Sequence, residues 1–473
     1  MQATDPVNSN GSTLRGILKC LRDSLRGSAQ DFTQGSLVRG IFLLSIPMAL
    51  ELFMESVFSL VDVFFVARLG SDAVSAVGIT EAMVAVVFAA ASGLGIASTI
   101  MVSRRMGERD GDGAALTAWQ ALLLGGMFSV LIATVGGLLA PKLLHWMGAS
   151  PGMVQAGIGY TRIMFFGNAS IVLITILNAI FRGAGDAVIA MRALALANLV
   201  NLILDPCLIF GLGPFPALGT TGAAVATTIG RSVGIAYQLN VLLRAGSRVR
   251  LTRGSLRWEW KIMQRMLHLA LGMMVQILVG TASWLGLIRI VSSFGSVTLA
   301  GYTIAVRLLL ISLLPSWGLC NAAATLVGQN LGAGRPDRAE RAVWLSAFCN
   351  LGFMGCIGLF FILLANPLIQ LFSQDPAVVQ VGASCLRIIS YGYALFGFGM
   401  VMIQALNGAG EVYTPLLMNV LGYWLIQLPL AYLLSRTNWG VEGIFWAIVF
   451  AQTFMAVGGW LIFKRGNWKR KSV

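Results

Sequence analysis

Apolar residues in this chain run in stretches of 18 or more, separated by short polar segments, from about residue 40 almost to the end. Twelve such blocks can be drawn, near 40–66, 74–102, 114–140, 152–181, 188–211, 220–244, 262–293, 298–328, 340–366, 378–407, 413–436 and 441–464. Each is far longer than the ten or so residues a membrane strand needs, so the pattern predicts helices. The expected fold is an all-α polytopic membrane protein with twelve transmembrane helices. One block carries an unusual polar pattern. Glu51, Glu55 and Asp62 stand at i, i+4 and i+11 and share one helical face in an otherwise almost wholly apolar segment. An ionisable side chain there costs roughly 2.5 to 3.5 kcal/mol on insertion scales, so three on one face make a cation pathway the default hypothesis.

Composition agrees with a lipid solvent: 57% of residues are hydrophobic, 11% are charged, and the mean hydropathy is +0.80. The net charge of +14 would suit nucleic acid, yet its distribution points elsewhere. Arg104, Arg105 and Arg109 follow the second block, Arg244 to Lys261 the sixth, Arg335, Arg338 and Arg341 the eighth, and Lys464 to Lys471 close the chain. The opposite loops hold little beyond Arg68, Lys142 and Arg436. This is the positive-inside asymmetry, which predicts both termini on the cytoplasmic side of a plasma (bacterial inner) membrane and no nucleic-acid partner. The segment before the first block is polar and lacks the apolar core of a cleavable signal. Within it Leu14, Ile17, Leu18, Leu21 and Leu25 form one helical face and Arg15, Lys19, Arg22 and Arg26 the other, as in a helix lying on anionic lipid; a solvated basic tail is the alternative. Six cysteines (Cys20, Cys207, Cys320, Cys349, Cys356 and Cys385) lack CxxC spacing, so neither a disulfide framework nor a metal site is indicated.

An internal repeat organises the blocks. Phe181-Arg182-Gly183-Ala184-Gly185-Asp186 matches Leu406-Asn407-Gly408-Ala409-Gly410-Glu411, and the offset that carries Phe181 to Leu406 also pairs Gly107 with Gly332 and Gly70-Ser71 with Gly295-Ser296. Two six-helix lobes related by duplication follow, in one orientation because six is even. The expected domains are a cytoplasmic segment (1–39), an N-terminal lobe (40–244), a basic linker (245–261), a C-terminal lobe (262–464) and a tail (465–473). At the same offset Glu51 faces Gln276, Glu55 faces Gly280, Asp62 faces Leu287, Asn201 faces Ile426 and Asp205 faces Leu430. The acidic chemistry belongs to the N-terminal lobe alone.

Asp205 is its second centre, with Asn201 at i, i+4 on one face. By rise per residue, Asp62 lies roughly 6 Å and Asp205 roughly 9 Å inside the outer ends of their blocks, so the two can meet at one depth. Two carboxylates sharing a site repel when both are ionised, which favours a proton between them. The competing account pairs the acids with intramembrane arginines, of which Arg162, Arg231, Arg289, Arg307 and Arg387 fall inside blocks. His145 and His268 are too few for a histidine relay, and Glu81 reads as an exposed residue at a helix start. There is no GxxxxGK[ST] phosphate loop and no dinucleotide fingerprint, so the chain is not expected to be an enzyme, and energy must come from an ion gradient.

The run from Val61 to Gly70, Gly328-Gln329-Asn330-Leu331-Gly332-Ala333-Gly334-Arg335, Arg182-Gly183-Ala184-Gly185-Asp186 and Gly222-Ala223-Ala224-Val225-Ala226-Thr227 resemble the multidrug and toxic compound extrusion (MATE) family, over about residues 40 to 464. Within it the chain resembles the DinF-like branch, whose cation site lies in the N-terminal lobe; the NorM-like branch places acids in spans 7 and 10, where this chain has Gln276 and no carboxylate. The resemblance implies a cation site at Asp62, Asn201, Asp205 and Thr227, cavity positions at Glu55 and Asn178, to which the stripe adds Glu51, and a bending proline at Pro47. It implies a proton- or sodium-coupled antiporter exporting amphipathic compounds, mainly organic cations, with no cofactor beyond the coupling ion, no metal beyond sodium at the cation site, and function as a monomer in membrane lipid. Pro47 lacks an N–H for the helix ladder, so bending there is easy; a static kink is the alternative. Trp317, Tyr391, Tyr393, Tyr423 and Trp424 are candidates to stack on a cationic substrate, with helix packing the competing role. The rival function is a flippase for a lipid-linked anionic precursor, which would require the five arginines to converge on one cavity.

Overall fold

The computed structural model describes residues 22–27 and 30–471, and every regular element among them is helical. The proposed interfacial face falls largely outside these residues, although 22–26 are helical. The N-terminal lobe comprises α1 (Leu37–Val66), α2 (Ser71–Gly107), α3 (Gly111–Trp146), α4 (Pro151–Phe166), α5 (Ala169–Gly183), α6 (Ala187–Phe210) and α7 (Thr220–Leu243). The C-terminal lobe comprises α8 (Trp260–Ser292), α9 (Ser296–Gly332), α10 (Pro336–Gln370), α11 (Pro376–Tyr391), α12 (Tyr393–Gly408), α13 (Tyr413–Asn419), a π-helical stretch (Val420–Gln427), α14 (Leu428–Ser435) and α15 (Gly440–Lys464). Nine of these crossings are continuous and apolar enough to span a membrane, counting α13 to α14 as one; two more are bent pairs. The twelfth is α7, 24 residues long, whose small side chains let it pack closely on α6.

The bent pairs correct the sequence expectation of unbroken fourth and tenth spans. α4 and α5 meet at 43°, α11 and α12 at 55°. The breaks fall at Gly167 and Gly392, which are repeat mates and each follow an aromatic residue, Phe166 or Tyr391. The duplication thus carried a backbone bend as well as a sequence.

The lobes pack crosswise, α1 on α9 and α2 on α8. Each crossing uses a glycine because no Cβ fits. A Cβ on Gly318 would lie 2.7 Å from the Ala49 backbone, and one on Gly93 would lie 2.8 Å from the Ala270 carbonyl and 3.2 Å from the Met274 N–H. Gly93 and Gly318 are repeat mates, as are Ala49 and Met274. The same reciprocity closes the terminal face. A Cβ on Gly107 would strike the Gln329 carbonyl, and one on Gly332 would strike the carbonyl of Arg104, the repeat mate of Gln329.

Basic loop residues then tie the N-terminal segment across both lobes. Arg248 Nη2 donates to the Gln30 carbonyl at 3.0 Å, Arg335 Nη1 to Thr33 at 2.8 Å, and Arg338 Nη2 to Gln34 and Gly35 at 2.9 Å each. Phe32 is buried beneath them, with the Arg248 guanidinium over its ring. The segment between α7 and α8 is likewise docked: Val249 and Leu251 join the core of the N-terminal lobe, and Gln120 Nε2 donates to the Arg257 carbonyl at 2.7 Å.

If the reciprocal glycine contact sets closure of this face, Gly107→Val should force α2 from α9. The distance between spin labels at residues 112 and 341 should lengthen, while Gly111→Ala, whose methyl meets nothing within 4 Å, should leave it unchanged. An unaltered distance in the valine variant would show that closure does not depend on this contact.

Candidate functional site

Between the lobes lies a cavity of about 620 Å³. Its two walls differ in chemistry. The C-terminal wall is a chain of uncharged amides: Gln276 Nε2 donates to Asn407 Oδ1 at 3.2 Å, Asn407 Nδ2 to Gln404 Oε1 at 3.2 Å, and Gln404 Nε2 to Asn321 Oδ1 at 3.2 Å. The N-terminal wall is charged and holds Glu51, Glu55, Asn178 and Arg182. Phe88, Trp317, Phe396 and Tyr423 with Met273, Met400 and Met455 complete the lining. Flexible thioethers beside aromatic faces can repack around many apolar shapes.

Helix α1 presents its three acids to three different surroundings. Glu51 is buried and accepts from Arg182 Nη1 at 2.6 Å. The competing account, an ion pair, therefore holds for Glu51, but through an arginine in the repeat motif that reads as a loop residue. Arg182 is instead on the last turn of α5, where the helix carries it back under the cavity. Glu55, 38% exposed at its side chain, lies 3.8 Å from Arg231 Nη2. Asn178 accepts from Gln238 Nε2 at 2.7 Å. Pro47 is buried within α1, which continues helically through it.

Asp62 faces away from the cavity into a buried cluster. Thr227 Oγ1 donates to Asp62 Oδ2 at 3.0 Å, Asn201 Nδ2 donates to Asp205 Oδ1 at 3.2 Å and lies 3.5 Å from Thr227 Oγ1, so the Asp62 and Asp205 carboxyls adjoin through one network. The sequence-predicted quartet is thus one site formed by α1, α6 and α7. Among the described residues, three of its buried oxygens, Asp62 Oδ1, Asn201 Oδ1 and Asp205 Oδ2, have no hydrogen-bond partner. Unpartnered buried oxygens of this kind suit a proton or a hard cation, which oxygen donors prefer.

Of two neighbours, the sequence reading misplaced Glu81 and already named Arg231 among the arginines that could pair with the acids. Glu81 is half-buried and faces Asp62 and Arg231. Because α2 starts at Ser71, Glu81 lies about 15 Å along the helix rather than at its exposed start. Arg231, set over the Phe58 ring at 4.9 Å, lies 3.8 Å from Glu55 and within electrostatic reach of Asp62 and Glu81. Their common depth from the helix ends was the available signal.

The remaining candidates disperse. Arg162, Arg289 and Arg307 are exposed on outer helix faces, Arg387 lies in a separate cleft, and none of the five lines the central cavity. Of the aromatics, Trp317 and Tyr423 reach the cavity. Tyr393 is buried in the C-terminal lobe, where its hydroxyl donates to the Leu309 carbonyl at 2.8 Å, and Trp424 Nε1 donates to the Val279 carbonyl at 3.1 Å.

The MatE family signature matches residues 47–207 and 269–433. The chain is 27% identical to the FAD transporter of Shewanella oneidensis, over 90% of this chain and 94% of that protein. It is 24% identical to the probable multidrug resistance protein NorM of Thermotoga maritima, over 91% and 93% of the two chains. The fold superposes on the crystal structure of a MATE transporter in the bent conformation with a TM-score of 0.86 at 26% identity, covering 92% of this chain and 96% of that one.

The Glu51 and Arg182 pair makes a stability prediction. Arg182→Ala leaves a buried carboxylate without its partner and should cost about 3 to 5 kcal/mol, whereas the double variant Glu51→Gln/Arg182→Met should recover most of that loss. Thermal unfolding in detergent measures both. Equal destabilisation of the single and double variants would mean that the pair does not act as a unit.

Proposed function

The chain belongs to the MatE family of multidrug efflux transporters, and on that premise we propose that it is a cation-coupled antiporter exporting amphipathic organic compounds by alternating access of its two lobes. The observation that carries this reading is the charge balance of the N-terminal lobe: Arg231 lies 3.8 Å from Glu55 and within electrostatic reach of Asp62 and Glu81, while Asp205 joins Asp62 through Asn201 and Thr227. Four ionised carboxylates beside one cation in a low-dielectric bundle would be strongly self-repelling, so the cluster calls for a proton or a sodium ion. The coupling site in this reading is Asp62, Asn201, Asp205 and Thr227, with no other cofactor.

Arg231 supplies the link between ion and substrate. It lies within electrostatic reach of both Asp62 in the ion site and Glu55 in the cavity. A cation taken up by Asp62 and Asp205 neutralises one side of that competition and leaves Arg231 to Glu55, whose carboxylate is then less able to hold a substrate ammonium. Ion entry thereby favours substrate release, as antiport requires. Glu55 is the half-exposed acid of the cavity, so cationic substrates depend on it, while neutral ones rest on the aromatic and methionine lining. The five arginines do not converge on the cavity, and the arginine that does line it, Arg182, is engaged by Glu51; an anionic lipid-linked precursor therefore finds no arginine cradle there. The basic loops favour a plasma-membrane location with both termini cytoplasmic, and the cavity and ion site lie within one chain, consistent with a working monomer.

Proteoliposomes with an imposed pH or sodium gradient test the assignment. Asp62→Asn and Asp205→Asn keep volume but remove titratable charge, so gradient-driven transport of a cationic dye should be lost in folded protein, with Gln276→Ala affected far less. Undiminished transport by Asp205→Asn would rule out the ion site. Pro47 is the proposed hinge: Pro47→Ala restores a helix hydrogen bond and should slow transport while leaving dye binding intact. Transport unchanged in that variant would leave Pro47 as a static feature of α1.

A further inference from the structure

A second cavity, of about 710 Å³, opens between α10 and α15 with α11 as its floor, away from the central cleft. Its height follows from helix length. α10 begins on the terminal face, where Asp337 lies 3.5 Å from Lys469, and ends at Gln370 on the opposite face. The straight run before its bend at Leu364, close to Pro367, extends roughly 42 Å, more than the ~30 Å hydrocarbon layer, so its far end reaches the opposite headgroup region. Pro376, which opens α11 just after, therefore stands among lipid headgroups. Arg387 is three turns further on, and its long side chain can point its guanidinium back towards the headgroups.

The residues there are paired in an uncommon way. Among the described residues Arg387 makes no ion pair; its Nε donates to the Ile362 carbonyl at a long 3.4 Å. Across the same cavity Glu442 accepts from Ser384 Oγ at 2.6 Å. Ser384 and Arg387 are i, i+3 neighbours on one face of α11, so the two charges are offset by about one helical turn, ~5 Å. Tyr391 and Trp446 stack at 6.0 Å as an aromatic side to the cavity, and Leu363 and Phe450 stand exposed on α10 and α15 nearby.

We propose that this cleft holds the headgroup of a zwitterionic aminophospholipid in the leaflet opposite the termini, its phosphodiester on Arg387 and its primary ammonium on Glu442. A guanidinium takes a phosphate through two parallel N–H donors. A carboxylate one turn away suits an ammonium on a two-carbon tether, and a quaternary ammonium cannot donate the hydrogen bond that Glu442 accepts. The acyl chains lie against exposed Leu363 and Phe450. The repeat supplies an internal contrast: Gln155 and Arg162 are the mates of Gln380 and Arg387, but Glu442 and Trp446 correspond to Ala217 and Thr221. The N-terminal lobe has the arginine without the carboxylate or the aromatic side.

Native mass spectrometry of the purified full chain, titrated with phosphatidylethanolamine, phosphatidylcholine or phosphatidylglycerol of matched acyl chains, tests this. The unmutated protein should retain phosphatidylethanolamine about tenfold better than either of the others. Glu442→Gln should abolish the preference over phosphatidylcholine, Arg387→Gln should weaken phosphatidylethanolamine and phosphatidylglycerol alike, and Arg162→Gln should change neither. Arg387→Lys, which keeps the charge, should retain part of the binding and guards against loss through misfolding. Equal retention of all three lipids by the unmutated protein would overturn the proposal. So would competition by soluble glycerophosphoethanolamine at the lipid's own concentration, which would assign the site to a free zwitterion.

Discussion

Scarcity of positive charge around buried carboxylates governs the N-terminal lobe. In a bundle that excludes water an ionised carboxylate must find a cation, a proton or several hydrogen bonds, because its desolvation cost is not otherwise offset. Glu51 has Arg182 to itself at 2.6 Å and is thereby fixed. Glu55, Asp62 and Glu81 have one guanidinium within electrostatic reach, and among the described residues the Asp205 carboxyl accepts one hydrogen bond, from Asn201. The acids thus divide into Glu51, ion-paired through Oε1 so that it fastens α1 to α5 while Oε2 accepts no hydrogen bond among the described residues, and a group that shares its positive charge. An acid with its own arginine and one that must share stand on one helix, Glu51 and Glu55, one turn apart.

Duplication explains the frame and its failure explains the chemistry. The glycine crossings, the bends at Gly167 and Gly392 and the closure at Gly107 and Gly332 obey one offset, so the backbone of the two lobes is shared property. Side chains at the same offset are not shared: where α6 is regular and carries Asn201 and Asp205, its counterpart passes through the π-helical stretch Val420–Gln427. A π segment shifts carbonyls off the usual ladder, and here Ser283 Oγ donates to the Tyr423 carbonyl at 3.4 Å while the Tyr423 side chain lines the cavity. One lobe thus gathers the buried acids and the other shapes an uncharged wall.

The sequence disclosed what depends on period and depth. Twelve helices, two lobes, the acid asymmetry and the convergence of Asp62 with Asp205 all follow from apolar block length, a constant offset and the fixed rise of a helix. It concealed what depends on where a helix begins or which way a long side chain turns. Glu81 lies inside α2 because that helix starts at Ser71, earlier than the apolar block suggests. Arg182 reaches Glu51 because α5 runs on through Gly183, which a Gly-Ala-Gly motif disguises as a turn. The breaks at Phe166 and Tyr391 leave hydropathy almost untouched, so only the paired glycines could have disclosed them.

Helix α1 unites the parts that must move together. It carries Asp62 in the ion site, Glu55 and Glu51 on the cavity, and Ala49 at the crossing with Gly318 of the other lobe. Pro47 lies two residues from that crossing. Asp62 lies roughly 20 Å further along, so a small change of direction at Pro47 is magnified into a larger displacement at the ion site, and the reverse also holds. Reversing a two-state preference from 1:99 to 99:1 takes about 5.5 kcal/mol of differential binding. A cation entering a cluster of carboxylates that share one arginine is a credible source of energy on that scale. The closed terminal face, where glycines meet backbone and arginines hold the Gln30 to Gly35 carbonyls, is what that energy must open. The Asp62 cluster lies far from this face, and α1, which starts at Leu37 beside it and carries Asp62 near its other end, joins the two.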